Sequence, residues 1–364
     1  MSTAGSRLRA AVVGGGFMAE VHSRAARAAR AELAGIVSST PERSAAAAER
    51  LGIGRAYASL DELLADDSID VVHVTTPNAL HAEQASAVLA AGKHVVCEKP
   101  LATTTADAEA LVAAARGRTA TVPFVYRFHP MVREARARFA SGAAGRVLTV
   151  SASYLQDWLL ASGDDNWRVD SAQGGRSRAF ADIGSHLVDL VEFVTGDRVT
   201  RVSATKKTVF TERAAHSSIT TEDAVAVVIE TAAGAIGTLL VSQVAPGRKN
   251  RLLLEIAGSE ESVGFDQEQP ETLWVGRRRG SLLVPRDADQ LSEDAARLCV
   301  VPSGHPQGYQ EAFAAFVADT YAAVAGEEPD GLPRFTDGLR AVRITDAVID
   351  SAESGTWIGL EQNA

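Results

Sequence analysis

The sequence predicts an α/β protein in two parts. Residues 1–126 read as a doubly wound Rossmann domain, and residues 127–364 as an α+β domain with a large, mainly antiparallel open sheet. Three observations carry that expectation. The first 125 residues alternate short, continuously apolar runs with Ala-rich helical stretches, as parallel strands covered on both faces do. After about residue 127 the β-rich runs follow one another across turn residues, which signals antiparallel pairing. A chain of 364 residues is also long for a single hydrophobic core.

The elements follow in order. Residues 8–13 read as a buried strand, Gly14-Gly15-Gly16 as a turn and residues 17–30 as a helix. A strand over 32–37 and a helix over 41–51 come next, then strands at 71–74 and 94–97 with helices at 80–91 and 105–116, and a closing strand at 121–126. Right-handed crossovers make this series doubly wound. Further on, strands are expected at 146–154, 198–208, 224–231, 235–244, 251–258 and 262–266, and helices at 307–325 and 335–353. The C-terminal helix is a candidate to pack back on the first domain. Arg277-Arg278-Arg279 reads as a solvated hairpin rather than a nucleic-acid footprint.

Bulk properties exclude several function classes. Hydrophobic residues make up 46% and charged residues 23%, and the formal charge of −10 argues against a polyanionic partner. No run approaches a membrane span, and Met1 to Arg9 holds no signal-like apolar stretch, so a cytoplasmic protein is expected. Cys97 and Cys299 form neither a disulfide framework nor a metal-ligand spacing.

Gly14-Gly15-Gly16-Phe17-Met18-Ala19 fits G-x-G-x-x-[G/A] between a strand and a helix, where glycines let a pyrophosphate approach the helix N-terminus. Gly14, Gly16, Phe17 and Met18 are therefore cofactor candidates. Where a ribose-reading carboxylate is expected, the chain has Ser38-Ser39-Thr40 with Arg43 behind. Ser38, Ser39 and Arg43 suit a 2′-phosphate and favour NADP over NAD; the alternative is NAD held by serines and water, with Arg43 a solvated helix residue. Thr76, Pro77 and Asn78 end one strand, and Glu98-Lys99-Pro100 follows another, at the sheet edge where open α/β folds bind ligands. His81 reads equally as a cofactor contact or as a satisfied helix residue.

Asp182-Ile183-Gly184-Ser185-His186-Leu187-Val188-Asp189 places two carboxylates and an imidazole at i, i+4 and i+7, on one face if the segment is α-helical. A histidine between carboxylates suits proton transfer near neutrality. Asp182 also suits a helix N-cap, and Asp189 a structural or substrate-hydroxyl role. Zinc would want more nitrogen or sulfur ligands, so no metal is expected.

Together, the Gly-rich turn, Glu98-Lys99-Pro100, Tyr126-Arg127-Phe128-His129-Pro130 and Asp182-x-Gly-x-His186-x-x-Asp189 resemble the Gfo/Idh/MocA oxidoreductase family over almost the whole chain. The resemblance implies a Rossmann domain followed by an open-sheet domain, homodimers or homotetramers, and NAD(P)-dependent chemistry on hydroxyl or carbonyl carbons of sugars and cyclitols. It assigns Lys99, Asp182 and His186 as the catalytic set, and puts Glu98, Arg127, Trp167 and Arg168 beside the cofactor. Residues 154–160 with Trp167-Arg168 are similar to a subgroup acting on glucoside-like rings, including C3 of glycosides and anhydrosugars.

In that chemistry His186 is the base, Lys99 stabilises the developing alkoxide, and Asp182 orients the imidazole or a sugar hydroxyl. Tyr126, Gln156, Asp157, Asn166 and His305 are candidates to pair with ring hydroxyls. Trp158 and Trp167 are candidates to stack on a sugar face, with core packing an equal alternative. Inositol-type oxidation or ketosugar reduction by the same residues is the nearest rival reading, and a non-catalytic dinucleotide-binding regulator the rival of another class.

Overall fold

A computed structural model describes residues 7–361. The chain folds as two compact units: residues up to Val125 with Gln310–Leu339, and Tyr126–Tyr309 with the residues from Arg340 on.

The first unit holds a five-stranded sheet of β1 (Arg9–Val13), β2 (Glu32–Val37), β3 (Val71–Val74), β4 (His94–Cys97) and β5 (Ala120–Thr121), in the order β2-β1-β3-β4-β5. Every pair is parallel. Helices α1 (Phe17–Ala28), α2 (Pro41–Leu51), α3 (Leu60–Leu64), α4 (His81–Ala90) and α5 (Thr105–Ala114) cover it. After β2 the chain returns to place β3 on the other side of β1. This is the switch point at which such sheets open a crevice beyond their strand ends. Local chemistry sets the helix limits: Thr40 caps α2 by accepting from the Arg43 N–H at 3.2 Å, and Gly52, at φ 62°, ends it.

Two expectations are corrected here. The closing strand shrinks from 121–126 to Ala120–Thr121, and Val125–Phe128 is a 3-10 turn. Pro123 brings no N–H to continue a ladder, and the Val122 N–H goes to the Pro333 carbonyl at 3.2 Å. The second part is also not one continuous stretch from residue 127, because Gln310–Leu339 belong to the first unit.

The second unit holds a nine-stranded sheet of β6 (Val147–Leu155), β7 (Val199–Lys207), β8 (Ala224–Thr231), β9 (Ile236–Ser242), β10 (Arg251–Gly258), β11 (Ser262–Asp266), β12 (Thr272–Arg277), β13 (Gly280–Pro285) and β14 (Ile358–Gly359). Its order is β13-β12-β11-β10-β6-β9-β8-β7-β14, with only β6 and β9 paired in parallel. Arg277-Arg278-Arg279 turns the β12–β13 hairpin, as expected. The unit's remaining helices are α6 (Pro130–Ala140), α7 (Ser171–Gly174), α8 (Ser185–Thr195) and α9 (Glu293–Ala296), while α10 (Tyr309–Val324) and α11 (Phe335–Ser354) cross between the two sets of residues.

Alternation along the strands buries one face of this sheet. Val225, Val227, Leu239, Val241, Leu252 and Leu254 pack with Met131 and Val132 of α6 and with Leu187, Leu190 and Val191 of α8. The opposite register leaves Val228, Leu240, Trp274 and Leu283 exposed. No helix among the described residues is long and apolar enough to cross a membrane.

Candidate functional site

The Gly-rich turn has the shape a dinucleotide needs. Gly14 sits at φ +106°, and a Cβ there would lie 2.8 Å from Thr75 Oγ1, so only glycine fits. A Cβ on Gly16 would meet nothing within 4 Å, so that side of the turn is open. Gly16 is the N-cap of α1 and no side chain caps this helix. The first-turn N–H groups at Phe17 and Met18 thus remain for an anion, and the helix dipole favours a pyrophosphate there. Phe17 is 73% exposed at the mouth of the turn.

Beyond β2, Ser38 is held by its N–H to Ser44 Oγ at 2.8 Å, and Arg43 Nη1 donates to Ser39 Oγ at 3.0 Å. Ser39 and Arg43 are both exposed. Sequence reasoning missed Arg50, whose Nη2 donates to the Gly15 carbonyl at 2.6 Å. A second guanidinium therefore stands at the phosphate turn.

The loops after β3 and β4 are tied together within the same unit. Thr76 Oγ1 donates to Gln84 Oε1 at 2.6 Å, and Asn78 is buried in the 3-10 turn that follows Pro77. His81 points Nδ1 at the Pro100 carbonyl (2.7 Å) and Nε2 at the Thr76 carbonyl (2.8 Å). Burial lowers its pKa. Set between these two carbonyls, with one N–H to donate when neutral, the His81 ring braces the Thr76 and Pro100 loops, as in the reading of a satisfied helix residue. Glu98 is buried and its Oε2 accepts the Lys99 N–H at 3.0 Å, while Lys99 itself is only half-buried.

In the second unit the octapeptide is not one α-helix. Phe180–Gly184 forms a π-turn and α8 starts at Ser185. Such turns reset the angular register of the residues before them. Asp182 is therefore not the helix N-cap: Gly184 occupies that position, and no side chain caps α8. A Cβ on Gly184 would lie 2.6 Å from Phe180 Cδ2, so the turn closes only over glycine. Buried acids secure its entry. Glu222 accepts from Ser177 Oγ (2.8 Å), the Arg178 N–H (3.1 Å) and the Phe180 N–H (2.9 Å). Asp223 pairs with Arg178 and, at 2.8 Å, with Arg213.

The two aspartates then diverge. Asp182 Oδ2 accepts from Gln243 Nε2 at 2.8 Å, and its Oδ1 lies 3.5 Å from Arg168 Nε. Asp189 takes a two-point pair from Arg127, with Nε at 2.8 Å and Nη2 on the other oxygen. Arg127, expected beside the cofactor, makes this buried pair. His186 is 7% exposed. Its ring meets Tyr126 edge-on, with centroids 5.0 Å apart, and Tyr154 at 6.5 Å.

A belt of hydrogen-bonding side chains adjoins His186. Tyr126 and Tyr154 share a hydroxyl contact, and Tyr154 donates to Asn250 Oδ1 at 2.8 Å. Gln156 Nε2 donates to the same oxygen at 2.8 Å, and Trp158 Nε1 to Gln156 Oε1 at 2.7 Å. Burial raises the pKa of both tyrosines, which keeps them as neutral hydroxyls. Trp167 lies under the Arg168 guanidinium at 4.4 Å, joining that pair to Asp182.

Other expected sugar contacts have structural partners. Asn166 Oδ1 accepts the Arg168 N–H at 3.1 Å, and Asp157 is paired with Lys249 at 2.7 Å, whose hydrogen bond lowers its pKa. His305 lies in an exposed turn whose carbonyl accepts from Arg286.

The Gfo/Idh/MocA description, an oxidoreductase family with an NAD-binding Rossmann fold, matches residues 8–126, and the family's C-terminal domain matches residues 132–264. The chain is 32% identical over 399 residues to levoglucosan dehydrogenase of Pseudarthrobacter phenanthrenivorans, with 98% of each covered. The chain belongs to the Gfo/Idh/MocA oxidoreductase family.

A solved structure of levoglucosan dehydrogenase in complex with NADH matches with a TM-score of 0.92 at 31% identity, covering 98% of this chain and 100% of that one. Over 180 residues the chain is 38% identical to D-xylose 1-dehydrogenase (NADP(+)) 2 of Haloferax volcanii, covering 48% of this chain and 54% of that relative. Within this Gfo/Idh/MocA chain, Gln243, Tyr154 and Asn250 join the hydrogen-bonded candidate site although sequence reasoning did not single them out. Gln243 had a signal, being a polar residue closing an apolar strand run. Asn250, in a polar loop, had none.

Proposed function

We propose that this oxidoreductase is an NAD(P)-dependent dehydrogenase of a ring hydroxyl in a sugar or sugar-like compound, with C3 of a glucoside or an anhydrosugar the leading substrate position. The observation that carries the reading is His186, buried against Tyr126 and Tyr154 at a belt of neutral hydroxyl, amide and indole groups, with Asp182 of the same segment held by Gln243. Such a wall pairs with several hydroxyls at once. The relatives' names, levoglucosan dehydrogenase and a xylose dehydrogenase, support the same substrate class.

Bound nicotinamide dinucleotide supplies the hydride acceptor. The Gly14–Met18 turn holds the dinucleotide, and the Lys99 ammonium stabilises negative charge growing on the substrate oxygen. His186 takes the hydroxyl proton as general base. Asp182 is held by Gln243 and orients the imidazole or a neighbouring ring hydroxyl. Gln243 must turn its Nε2 toward the carboxylate, because its Oε1 would face like partial charge.

Ser38, Ser39 and Arg43, with no acidic ribose reader, support NADP over NAD. A cytoplasmic homodimer or homotetramer completes the proposal, its contact being the exposed face around Val228, Leu240, Trp274 and Leu283. Leu240→Lys with Leu283→Lys should shift light-scattering mass toward the monomer; an unchanged mass moves the contact elsewhere.

Lys99→Ala should abolish turnover, with loss of at least about 10²-fold, while dinucleotide affinity stays within a factor of about two. Turnover that persists removes Lys99 from the chemistry, whereas dinucleotide binding without turnover of any substrate by the unaltered chain would favour the silent-regulator reading. Screening reduced-cofactor formation over pyranosides, 1,6-anhydrosugars and inositols with both nucleotides identifies the substrate class. Activity on inositols alone would favour the cyclitol reading.

A further inference from the structure

Inside the first unit runs a line of buried polar groups that the chemistry above does not use. His22 of α1 and His73 of β3 are 0% exposed, Tyr321 of α10 is 5% exposed and Glu98 is 6% exposed. Tyr321 Oη lies 2.8 Å from His73 Nε2, His73 Nδ1 lies 2.8 Å from His22 Nδ1, and His22 Nε2 lies 3.0 Å from Glu98 Oε1. Glu98 Oε2 accepts the Lys99 N–H at 3.0 Å. The imidazoles meet edge to face, and Phe313 packs on His22 at 4.7 Å.

The protons in this line are determined by its far end. A buried phenol must donate its proton, and among the described contacts Tyr321 Oη faces one acceptor, His73 Nε2. His73 must then carry its proton on Nδ1 and give it to His22 Nδ1. His22 in turn carries its proton on Nε2 and gives it to Glu98. Every donor then has an acceptor, and Glu98 is a carboxylate receiving two N–H groups. Reversing any one member breaks its neighbour's bond, so the line changes as a unit. The electrostatics agree. Burial pushes the His73 imidazole well below its ordinary pKa and the Tyr321 phenol above its own. Burial raises Glu98, but the hydrogen bond from His22, with the Lys99 ammonium nearby, outweighs it and leaves Glu98 lowered.

We propose that Tyr321, His73 and His22 are positioning residues, a one-directional hydrogen-bonded line that holds Glu98 as a buried carboxylate and, through the Lys99 N–H, sets the direction in which the Lys99 side chain leaves β4. The inference rests on the reading of Lys99 as catalytic. It makes Tyr321, three hydrogen bonds away from Glu98, a determinant of turnover.

The test combines spectroscopy and kinetics on the full chain. Imidazole ¹⁵N–¹H spectra, assigned with His22→Gln and His73→Asn, should show His22 protonated on Nε2 and His73 on Nδ1. His22→Leu should lower kcat by about 10-fold or more, with KM and nucleotide affinity nearly unchanged, and His22→Gln, which keeps an N–H at the Nε2 position, should restore most of it. Tyr321→Phe, nearly isosteric, should lower kcat in the same sense and protects the test if His22→Leu misfolds. Opposite tautomers, a doubly protonated ring, or equal kcat in the Leu and Gln variants would overturn the proposal. Turnover surviving Lys99→Ala would defeat the catalytic reading while leaving the tautomers as described. Lost turnover in Lys99→Ala with unchanged kcat in Tyr321→Phe would defeat the line alone.

Discussion

Asp182 and Asp189 are the same residue type on one short segment, and their surroundings give them different work. Asp189 is closed off by a two-point pair with Arg127, buried on both sides. Asp182 keeps one oxygen on Gln243 and the other near Arg168, with its side chain 15% exposed. Removing the partner of a buried pair leaves an uncompensated charge, so Arg127 contributes to stability, while Asp182 keeps the more exposed carboxylate of the two. The same division applies at the nucleotide. Arg43 touches only Ser39 Oγ and its own helix cap among the described contacts, so its charge is available to a 2′-phosphate. Arg43→Ala should weaken NADP binding by about tenfold and leave NAD binding unchanged, as read by fluorescence titration. Equal NADP affinity in the variant would remove Arg43 from cofactor selection. Residue types at these places were legible in the sequence. Their partners were not, because Gln243 and Asn250 lie 61 and 94 positions from Asp182 and Gln156.

At the scale of elements, strongly patterned segments were readable from local chemistry. β1 to β4 with their helices, and β6 to β11, follow from continuous or alternating apolar runs bounded by turn residues. The short or exposed strands β12, β13 and β14 lacked that signal. The π-turn at Phe180–Gly184 was also hidden, because its widened hydrogen bonding is imposed by Glu222 and Asp223 from a distant loop. Gly184 carries a trace of it. Phe180 is fully buried and has no room to withdraw from an added Cβ. Gly184→Ala should therefore cost about 1–3 kcal/mol in urea unfolding and lower kcat by displacing Asp182 relative to His186. An unchanged midpoint together with unchanged kcat would show that the turn relaxes freely.

For the molecule as a whole, burial of imidazoles sets a pH limit. His129 is 2% exposed, and burial carries its pKa down to about 4 against a small opposing effect of Glu271; His73 is lowered in the same sense. Both rings are neutral when folded, whereas the unfolded chain protonates them near about pH 6.5. Below that pH the unfolded state binds more protons, so stability is full above about pH 6.5 and falls as pH drops toward 4. His129 alone accounts for up to about 3 kcal/mol of that loss. Urea midpoints at pH 7 and pH 5 should differ in this direction, and His129→Gln should flatten the slope. A midpoint that rises on acidification would contradict the neutral buried ring.

The sequence by itself determined the α/β fold class, with its Rossmann sheet and a second, mostly antiparallel sheet, and it singled out the glycine turn, Lys99, Asp182 and His186 as candidates. Those depend on backbone propensity, apolar periodicity and motif spacing, all of which are local. Only the tertiary structure decided which carboxylate is structural, which histidines are braces, and how the octapeptide is wound. Each of these turns on where a buried polar group finds its partner, and that partner comes from a remote part of the chain because an unpaired polar group is too costly to bury.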